Sequence, residues 1–319
     1  MKTLSTIFGS GVAIRNALYD SRVLKVRKLS RPVVSIGNLS VGGSGKTPFV
    51  IALGELLKQR GIAFDVLSRG YGRQSARIGV VDQQGAAEQF GDEPLLIARR
   101  LGIPVVVGAD RYEAGLMAET QFGSKLHLLD DGFQHRRLHR DFDIVMLPPG
   151  DLKDALLPLG RLREPLSSLR RADAVVLTSA DLHDAETARR YISSPEMLYT
   201  APRVLEVDST SGKVVAFCGI ARPEQFFSQL RSLNIELAAQ ISFRDHHSYA
   251  QADIERLLKS KADSGAAVFV TTEKDRINLG ALARQLQPLH VATLRIVLDD
   301  PGLVDTMLNT LEQRCGCRL

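Results

Sequence analysis

The stretch Val33-Val34-Ser35-Ile36-Gly37-Asn38-Leu39-Ser40-Val41-Gly42-Gly43-Ser44-Gly45-Lys46-Thr47 decides the fold. Its first four residues are mostly β-branched and predict a buried strand. A glycine-rich loop follows, and an apolar helical pattern begins after Lys46. Strand, loop and helix in this order form the context of a Walker A phosphate-binding loop. Its glycines let backbone N–H groups converge on phosphate oxygens.

The candidate nucleotide-binding residues are the consecutive residues Ser40, Val41, Gly42, Gly43, Ser44, Gly45, Lys46 and Thr47. We expect Lys46 to reach the β- and γ-phosphates of ATP and Thr47 to give its hydroxyl to Mg²⁺. The usual motif has glycine where Ser40 stands. The alternative is a glycine-rich turn with an incidental lysine, but the preceding strand and the Gly-Lys-Thr at the helix start argue against it.

Apolar, β-branched stretches alternate with helical patterns, which predicts an α/β fold with a parallel sheet covered on both faces. Helices are expected after Lys46, Asp92 and Asp110. A polar segment near residues 179–202 is a plausible junction, so we divide the chain into 1–28, 29–200 and a smaller α/β domain, 201–319. The predicted strands are 33–36, 64–67, 105–107, 126–129, 144–147, 174–178, 214–218, 237–241, 268–271 and 294–298.

The net charge of +5 is concentrated at one end of the chain. Residues 1–31 hold seven basic residues and one acid, or +6, so the rest sums to −1. A uniformly basic surface for nucleic acid is therefore not expected, whereas a basic end suits anionic headgroups or phosphates. Three cysteines without an export signal indicate a reduced, cytosolic protein.

The basic segment also carries apolar residues at helical spacing, among them Leu4, Ile7, Ile14 and Leu18. No run of about 18 apolar residues exists that could span a bilayer. One reading is an amphipathic helix lying in a membrane interface. The other is a helix packed on its own domain with a solvated basic end, and the residues alone do not separate the two.

Two carboxylates, Asp130 and Asp131, follow the predicted strand 126–129. Chemistry in parallel sheets gathers at the carboxyl ends of strands, where such acids hold Mg²⁺ directly or through water. The alternative is a solvated Asp-Asp-Gly turn. The phosphate loop upstream favours the magnesium reading.

Asp92 and His246 each admit two interpretations. Asp92 opens a helix and suits an N-cap, or it accepts a proton from a hydroxyl. His246 lies in Asp245-His246-His247 and serves as a base, orients one, or belongs to a surface loop. Loop arginines such as Arg111 and Arg163 suit phosphate oxygens, with ordinary solvation as the alternative.

Taken together, these motifs resemble those of the tetraacyldisaccharide 4′-kinases, which phosphorylate the lipid A precursor. The resemblance covers nearly the whole chain in the family's order. It runs through the phosphate loop and the segments 67–72, 91–94, 130–135, 162–165, 217–221, 245–247 and 272–275.

The resemblance implies two α/β domains, the first RecA-like, with the active site between them. It implies a catalytic dyad of Asp92 and His246, brought together by domain closure, with phosphate contacts from Arg163 and Arg111. It also implies an N-terminal helix on the cytoplasmic face of the inner membrane, an anionic membrane surface and an acylated disaccharide 1-phosphate as substrate. Residues implied near Mg²⁺ are Thr47, Asp130, Asp131, Gln134 and Glu164.

The main alternative is a P-loop GTPase of the cofactor-delivery type. Such a protein needs a guanine-recognition loop reading Asn/Thr-Lys-x-Asp. Thr272-Glu273-Lys274-Asp275 places lysine and aspartate side by side without a spacer, so this loop does not match.

Overall fold

A computed structural model describes residues 2–179, 181–298, 302–316 and 318. Its strands are β1 Val33–Asn38, β2 Phe64–Ser68, β3 Gly79–Val80, β4 Val105–Val107, β5 Leu126–Asp130, β6 Phe142–Leu147, β7 Ala174–Leu177, β8 Leu198–Thr200, β9 Arg203–Glu206, β10 Val214–Cys218, β11 Leu237–Ser242, β12 Val268–Thr272 and β13 Leu289–Ile296. Its α-helices are α1 Lys2–Asp20, α2 Lys46–Gln59, α3 Ala87–Phe90, α4 Asp92–Leu101, α5 Arg111–Gln121, α6 Leu182–Arg189, α7 Pro223–Ser232, α8 Gln251–Ser264, α9 Glu273–Leu279 and α10 Gly302–Cys315. Short 3₁₀ turns lie at Pro149–Lys153, Leu166–Arg171, Pro195–Met197 and Gly280–Gln285.

The first sheet has the order β3-β4-β2-β5-β1-β6-β7-β8 and is parallel except for β3. Strand β1 lies between β5 and β6, and all its residues are buried. Complete burial explains its near-continuous apolar run, because helices cover both faces of a parallel sheet. The carboxyl ends of β1, β2, β5 and β6 therefore meet at one edge, which is where a ligand site is expected.

The second sheet has the order β11-β10-β12-β13-β9, with only β9 antiparallel. The two-sheet α/β prediction is thus confirmed, and every predicted strand is present. The last one lies earlier than predicted, at Leu289–Ile296 rather than 294–298. The short edge strands β3, β8 and β9 carried no recognisable pattern, since edge strands bury little apolar surface.

The chain passes from the first sheet to the second between β8, which ends at Thr200, and β9, which begins at Arg203. The C-terminal helix α10 then returns to the first sheet. Its Leu303, Met307 and Leu311 are buried in the same cluster as Val34 and Ile36 of β1. The two domains also share a helix contact, in which Arg100 of α4 pairs with Glu273 of α9 at 2.6 Å.

The N-terminal helix α1 lies on the surface of the first domain. The Ser5 hydroxyl donates to the carbonyl of Leu156 at 2.9 Å. Large apolar side chains on this helix, including Ile7 and Ile14, remain more than 60% exposed. Within the described ranges, no helix is long and apolar enough to cross a membrane.

Candidate active site

The phosphate loop connects β1 to α2. Gly42 and Gly45 have φ angles of 83° and 87°, in the left-handed region that favours glycine. Gly45 is the N-cap of α2, so the first N–H groups of the helix open into the loop. Lys46 Nζ donates to Asn38 Oδ1 at 3.0 Å and to Ser44 Oγ at 3.2 Å. Left-handed glycines and a lysine folded back onto the loop are features of a phosphate-binding loop.

Ser40, at the position usually held by glycine, is buried and bonded to an acid that sequence reasoning missed. Its hydroxyl donates to Asp151 Oδ2 at 2.6 Å, and its backbone carbonyl accepts from Asn38 Nδ2 at 2.8 Å. Burial raises the pKa of Asp151, which is fully enclosed. Asp151 follows β6, the neighbour of β1, so its place just after a buried strand was the available clue.

Asp131 lies beside the phosphate loop because β5 pairs with β1, with Asp130 opposite Ile36. Arg163 binds the Asp131 carboxylate with both terminal nitrogens, at 2.9 and 3.0 Å. Lys46 Nζ lies 3.4 Å from Asp131 Oδ1. Burial acts to raise the pKa of Asp131, but Lys46 and Arg163 outweigh it and hold the pKa well below its usual value. Asp131 is therefore an ionised acid at the loop.

Asp130 has the opposite character. Burial, together with the negative charges of Glu93 and Asp131, raises its pKa to about 7. Its Oδ2 accepts from the Ser68 hydroxyl at 3.0 Å, whereas its buried Oδ1 has no hydrogen-bond partner. An unpartnered buried carboxylate oxygen among other acids suits a divalent cation, which would stabilise the ionised form.

Gln134 adds a second unpartnered oxygen. Its Nε2 donates to the Asn38 carbonyl at 2.9 Å, and its buried Oε1 is free of hydrogen bonds. Across the described residues, no group of three His, Cys, Asp or Glu side chains is arranged to hold a metal. Magnesium commonly needs only one or two carboxylates, with phosphates and water completing its shell. Thr47, Asp130, Asp131 and Gln134 fit such a site.

Glu164 is directed elsewhere. Although Arg163 faces the loop, the buried Glu164 carboxylate accepts from Asn16 of α1 and from Arg171, both at 2.9 Å. Arg15 lies 3.5 Å away. The structure therefore joins Glu164 to the N-terminal helix and does not bring it to the other residues implied near Mg²⁺.

Arg111, predicted to contact phosphate, is buried. It donates to the carbonyl of Ala109 at 2.7 Å and lies near the charges of Asp130 and Asp131.

Asp92 and His246 meet between the two domains, where Asp92 Oδ2 and His246 Nδ1 are 2.8 Å apart. Gly91 is the N-cap of α4 and Asp92 is its first residue. Asp92 Oδ1 still accepts from the Glu93 N–H at 2.8 Å, so the same side chain serves the helix end and the contact with His246. His246 has a φ of 55°, unusual for a residue with a side chain, and its backbone N–H donates to the Gly219 carbonyl at 3.1 Å. This backbone holds the imidazole against the carboxylate.

The pair is electrostatically matched. The hydrogen bond that His246 donates to Asp92 raises the pKa of His246 and outweighs the opposing effect of burial. Burial would raise the pKa of Asp92, but His246 and the charge of Lys274 lower it below its usual value. A lowered pKa for Asp92 and a raised pKa for His246 both favour the pair in which Asp92 is ionised and His246 is protonated.

Lys274 and Asp275, whose spacing does not match a guanine-recognition loop, have other partners in the structure. Lys274 pairs with Glu93 across the domain boundary. Asp275 is buried and accepts from the Tyr249 hydroxyl and the Gly219 N–H, both at 2.8 Å. Neither side chain is available to recognise a guanine base.

A parallel sheet with a phosphate loop after its central strand, and an acidic pair on the adjacent strand, defines a P-loop phosphotransferase. Comparison with known proteins then narrows the class. Residues 1–312 match the family described as tetraacyldisaccharide-1-P 4′-kinase, and the chain belongs to this family.

Individual relatives agree over nearly the full chain. The tetraacyldisaccharide 4′-kinase of Koribacter versatilis is 49% identical, over 99% of this chain and 100% of its own. That of Geobacter metallireducens is 36% identical, over 97% and 96%. A crystal structure of LpxK from Aquifex aeolicus in complex with ATP is 34% identical, covers 97% of each chain and superposes with a TM-score of 0.79.

Proposed function

We propose that this chain transfers the γ-phosphoryl group of ATP to the 4′-hydroxyl of an acylated glucosamine disaccharide 1-phosphate, the lipid A precursor, with Asp92 and His246 acting on that hydroxyl. The observation that carries the proposal is the 2.8 Å contact between Asp92 and His246 at the domain boundary. The pair is close enough to the loop for the charge of Lys46 to act on Glu93, the neighbour of Asp92. We therefore place the nucleotide site and the proton acceptor in one cleft.

The phosphate loop and its cations act on the nucleotide. Residues 40–47 bind the phosphates through backbone N–H groups, while Lys46 and Arg163 stabilise the charge on the γ-phosphoryl oxygens. Thr47, Asp130 and Asp131, with Gln134 nearby, would hold Mg²⁺, which would supply neutralisation of the phosphate charge. In the structure Lys46 and Arg163 both pair with Asp131. When they bind phosphate, each exchanges one anionic partner for another.

Asp92 and His246 act on the acceptor. Asp92 accepts the proton of the sugar hydroxyl. At the same time the hydroxyl oxygen forms a bond to the γ-phosphorus of ATP, and the bond between that phosphorus and the ADP oxygen breaks. His246 orients the carboxylate through their hydrogen bond. The two residues come from different domains, so the sugar hydroxyl is activated only where the domains meet. Water is excluded at that boundary, which limits hydrolysis of ATP.

The N-terminal helix α1 supports a peripheral position at an anionic membrane, on the cytoplasmic face of the inner membrane. Its exposed face carries Leu4, Ile7 and Ile14, and basic residues lie along and after the helix. An apolar face flanked by bases is suited to lie in a membrane interface. The acylated substrate would be met at the same surface.

The test is incubation of the purified chain with labelled ATP and a lipid A disaccharide 1-phosphate in mixed micelles. We expect a product that carries a second phosphate, located at the 4′ position by mass spectrometry and NMR. A chain that hydrolyses ATP but never labels the disaccharide would contradict the proposed acceptor. Omission of Mg²⁺ should abolish labelling.

A further inference from the structure

Two arginines of the second domain lie against the phosphate loop. Arg203 begins β9, and Arg222 immediately precedes α7. Arg203 Nη2 donates to the backbone carbonyl of Ser44. A β-carbon placed on Gly45 would lie 3.0 Å from Nε and Nη2 of Arg203, and one on Gly43 would lie 3.6 Å from Cγ and Cδ of Arg222. The two side chains thus cover consecutive parts of the loop.

Several N–H groups of these arginines are buried and unsatisfied. Arg203 Nε, and Arg222 Nε and Nη2, have no hydrogen-bond partner. Buried donors without partners are uncommon in proteins, and a charged donor is costly to leave in that state. Such groups beside a phosphate loop point to an anion as the missing acceptor.

The charges around the arginines support the same conclusion. Arg161 lies nearby, but its Nε is bonded to Asp154 Oδ2 at 2.8 Å. The other nearby acid, Asp151, accepts from Ser40 through Oδ2, and its Oδ1 has no hydrogen-bond partner. Burial and the charge of Arg222 lower the pKa of Arg203 to about 10, and burial and the charge of Arg161 lower the pKa of Arg222. At this corner of the loop the arginines Arg161, Arg203 and Arg222 outnumber the two acids, Asp151 and Asp154.

We infer that Arg203 and Arg222 are nucleotide-binding residues that donate to the phosphates of ATP from the second domain. A guanidinium presents a planar fork of donors that matches phosphate oxygens. The inference rests on the phosphate loop as the nucleotide site, and it adds a contribution of the second domain to that site. It also gives a reason for glycine at residue 45, where φ is 87° and a β-carbon would crowd Arg203 at 3.0 Å.

Arg222→Gln is the decisive variant, because it keeps most of the aliphatic stem against Gly43 and removes the charge. The experiment measures the Kd for MgATP by calorimetry, without any lipid acceptor, and the melting temperature of the nucleotide-free protein. We expect the Kd to rise at least about tenfold, since a hydrogen bond to a charged group is lost. We expect the melting temperature to hold or rise, since crowding of like charges is relieved.

The matched control is Arg295→Gln, which removes an exposed arginine of β13 paired with Glu206 at 2.7 Å and should leave the Kd unchanged. Arg203→Gln should weaken MgATP binding as well, and Arg222→Lys should lie between the glutamine variant and wild type. A wild-type Kd in Arg222→Gln would overturn the inference. So would a raised Kd accompanied by a clearly lower melting temperature, because that result describes a distorted loop. Since no acceptor is used, the outcome is independent of the proposed lipid substrate.

Discussion

The Ser40 hydroxyl donates a 2.6 Å hydrogen bond to Asp151, and both residues are fully buried. Ser40 occupies the first position of the phosphate loop, where glycine is usual, and Asp151 lies just after β6. The bond therefore ties the start of the loop to the strand beside β1. A hydroxyl at this position is a structural anchor for the loop, which explains how the motif departs from its usual form without losing its shape.

If this anchor stabilises the loop, Ser40 and Asp151 should be energetically coupled. We expect Ser40→Ala and Asp151→Ala each to lower the free energy of unfolding by about 1–3 kcal/mol, because each leaves a buried polar group unpaired. The double variant should be less destabilised than the sum of the two, by roughly 0.5–3 kcal/mol. Urea denaturation of the four proteins measures the coupling. Strict additivity would contradict the anchor.

Lys46→Ala should lower turnover at least about 10²-fold, because the lysine stabilises charge that develops on the γ-phosphoryl oxygens. The melting temperature should change little, since Lys46 is a partly exposed residue in the first turn of α2 and Asp131 keeps its pair with Arg163. Lys259→Ala on the exposed face of α8 is the control and should retain full turnover. Steady-state kinetics with the disaccharide acceptor checks both, and near-normal turnover in Lys46→Ala would rule out the assigned loop role.

Asp92→Asn should lower turnover by about 10²- to 10⁴-fold while leaving ATP affinity near wild type, because asparagine cannot accept the acceptor's proton. A double alanine variant of Asp92 and His246 should be little worse than either single one, since the two groups act as a unit. Asp253→Asn is a close control: Asp253 Oδ2 lies 2.9 Å from His247 Nε2, a similar pair without an assigned role. Equal losses in the two asparagine variants would argue against the dyad.

The Asp92–His246 contact should also stabilise the fold in a pH-dependent way. The pKa of His246 is raised in the folded state, so its contribution is full below the unfolded value of about 6.5 and is lost as pH rises through the folded pKa. The pKa of Asp92 is lowered, so the carboxylate remains ionised in that range. Melting temperatures of wild type and His246→Gln should differ most near pH 6 and converge toward pH 9. A gap that widens with pH would show the opposite linkage.

Exposed apolar residues of α1 should carry part of the membrane affinity. Truncation of residues 1–28 would also remove Asn16 from Glu164, so point changes test the surface more cleanly. We expect Ile7→Asp combined with Ile14→Asp to reduce flotation with anionic vesicles several-fold, more visibly at low salt. Leu182→Asp, at a position 81% exposed in α6, is the control and should float like wild type. Unchanged flotation of the double variant would place the contact elsewhere.

The sequence alone determined the parts that are local. Hydrophobic patterns and spacing identify the strand before the phosphate loop and the glycines within the loop. They also identify the acids Asp130 and Asp131 at the end of the buried strand β5. The order of the motifs along the chain indicated the family, and the family resemblance predicted the pair of Asp92 and His246. These features can be recognised without the tertiary structure, because each depends on residues only a few positions away in the chain.

Only the tertiary structure decided which distant residues meet. The pairing of Ser40 with Asp151, the return of α10 to the first sheet, the capture of Glu164 by α1, and the approach of Arg203 and Arg222 to the loop all join segments far apart in the chain. Hydrophobic periodicity shows that a segment buries one face, but it carries no information on which partner covers that face. Hydrogen bonds and ion pairs depend on ångström-scale distances, which arise only when the elements pack.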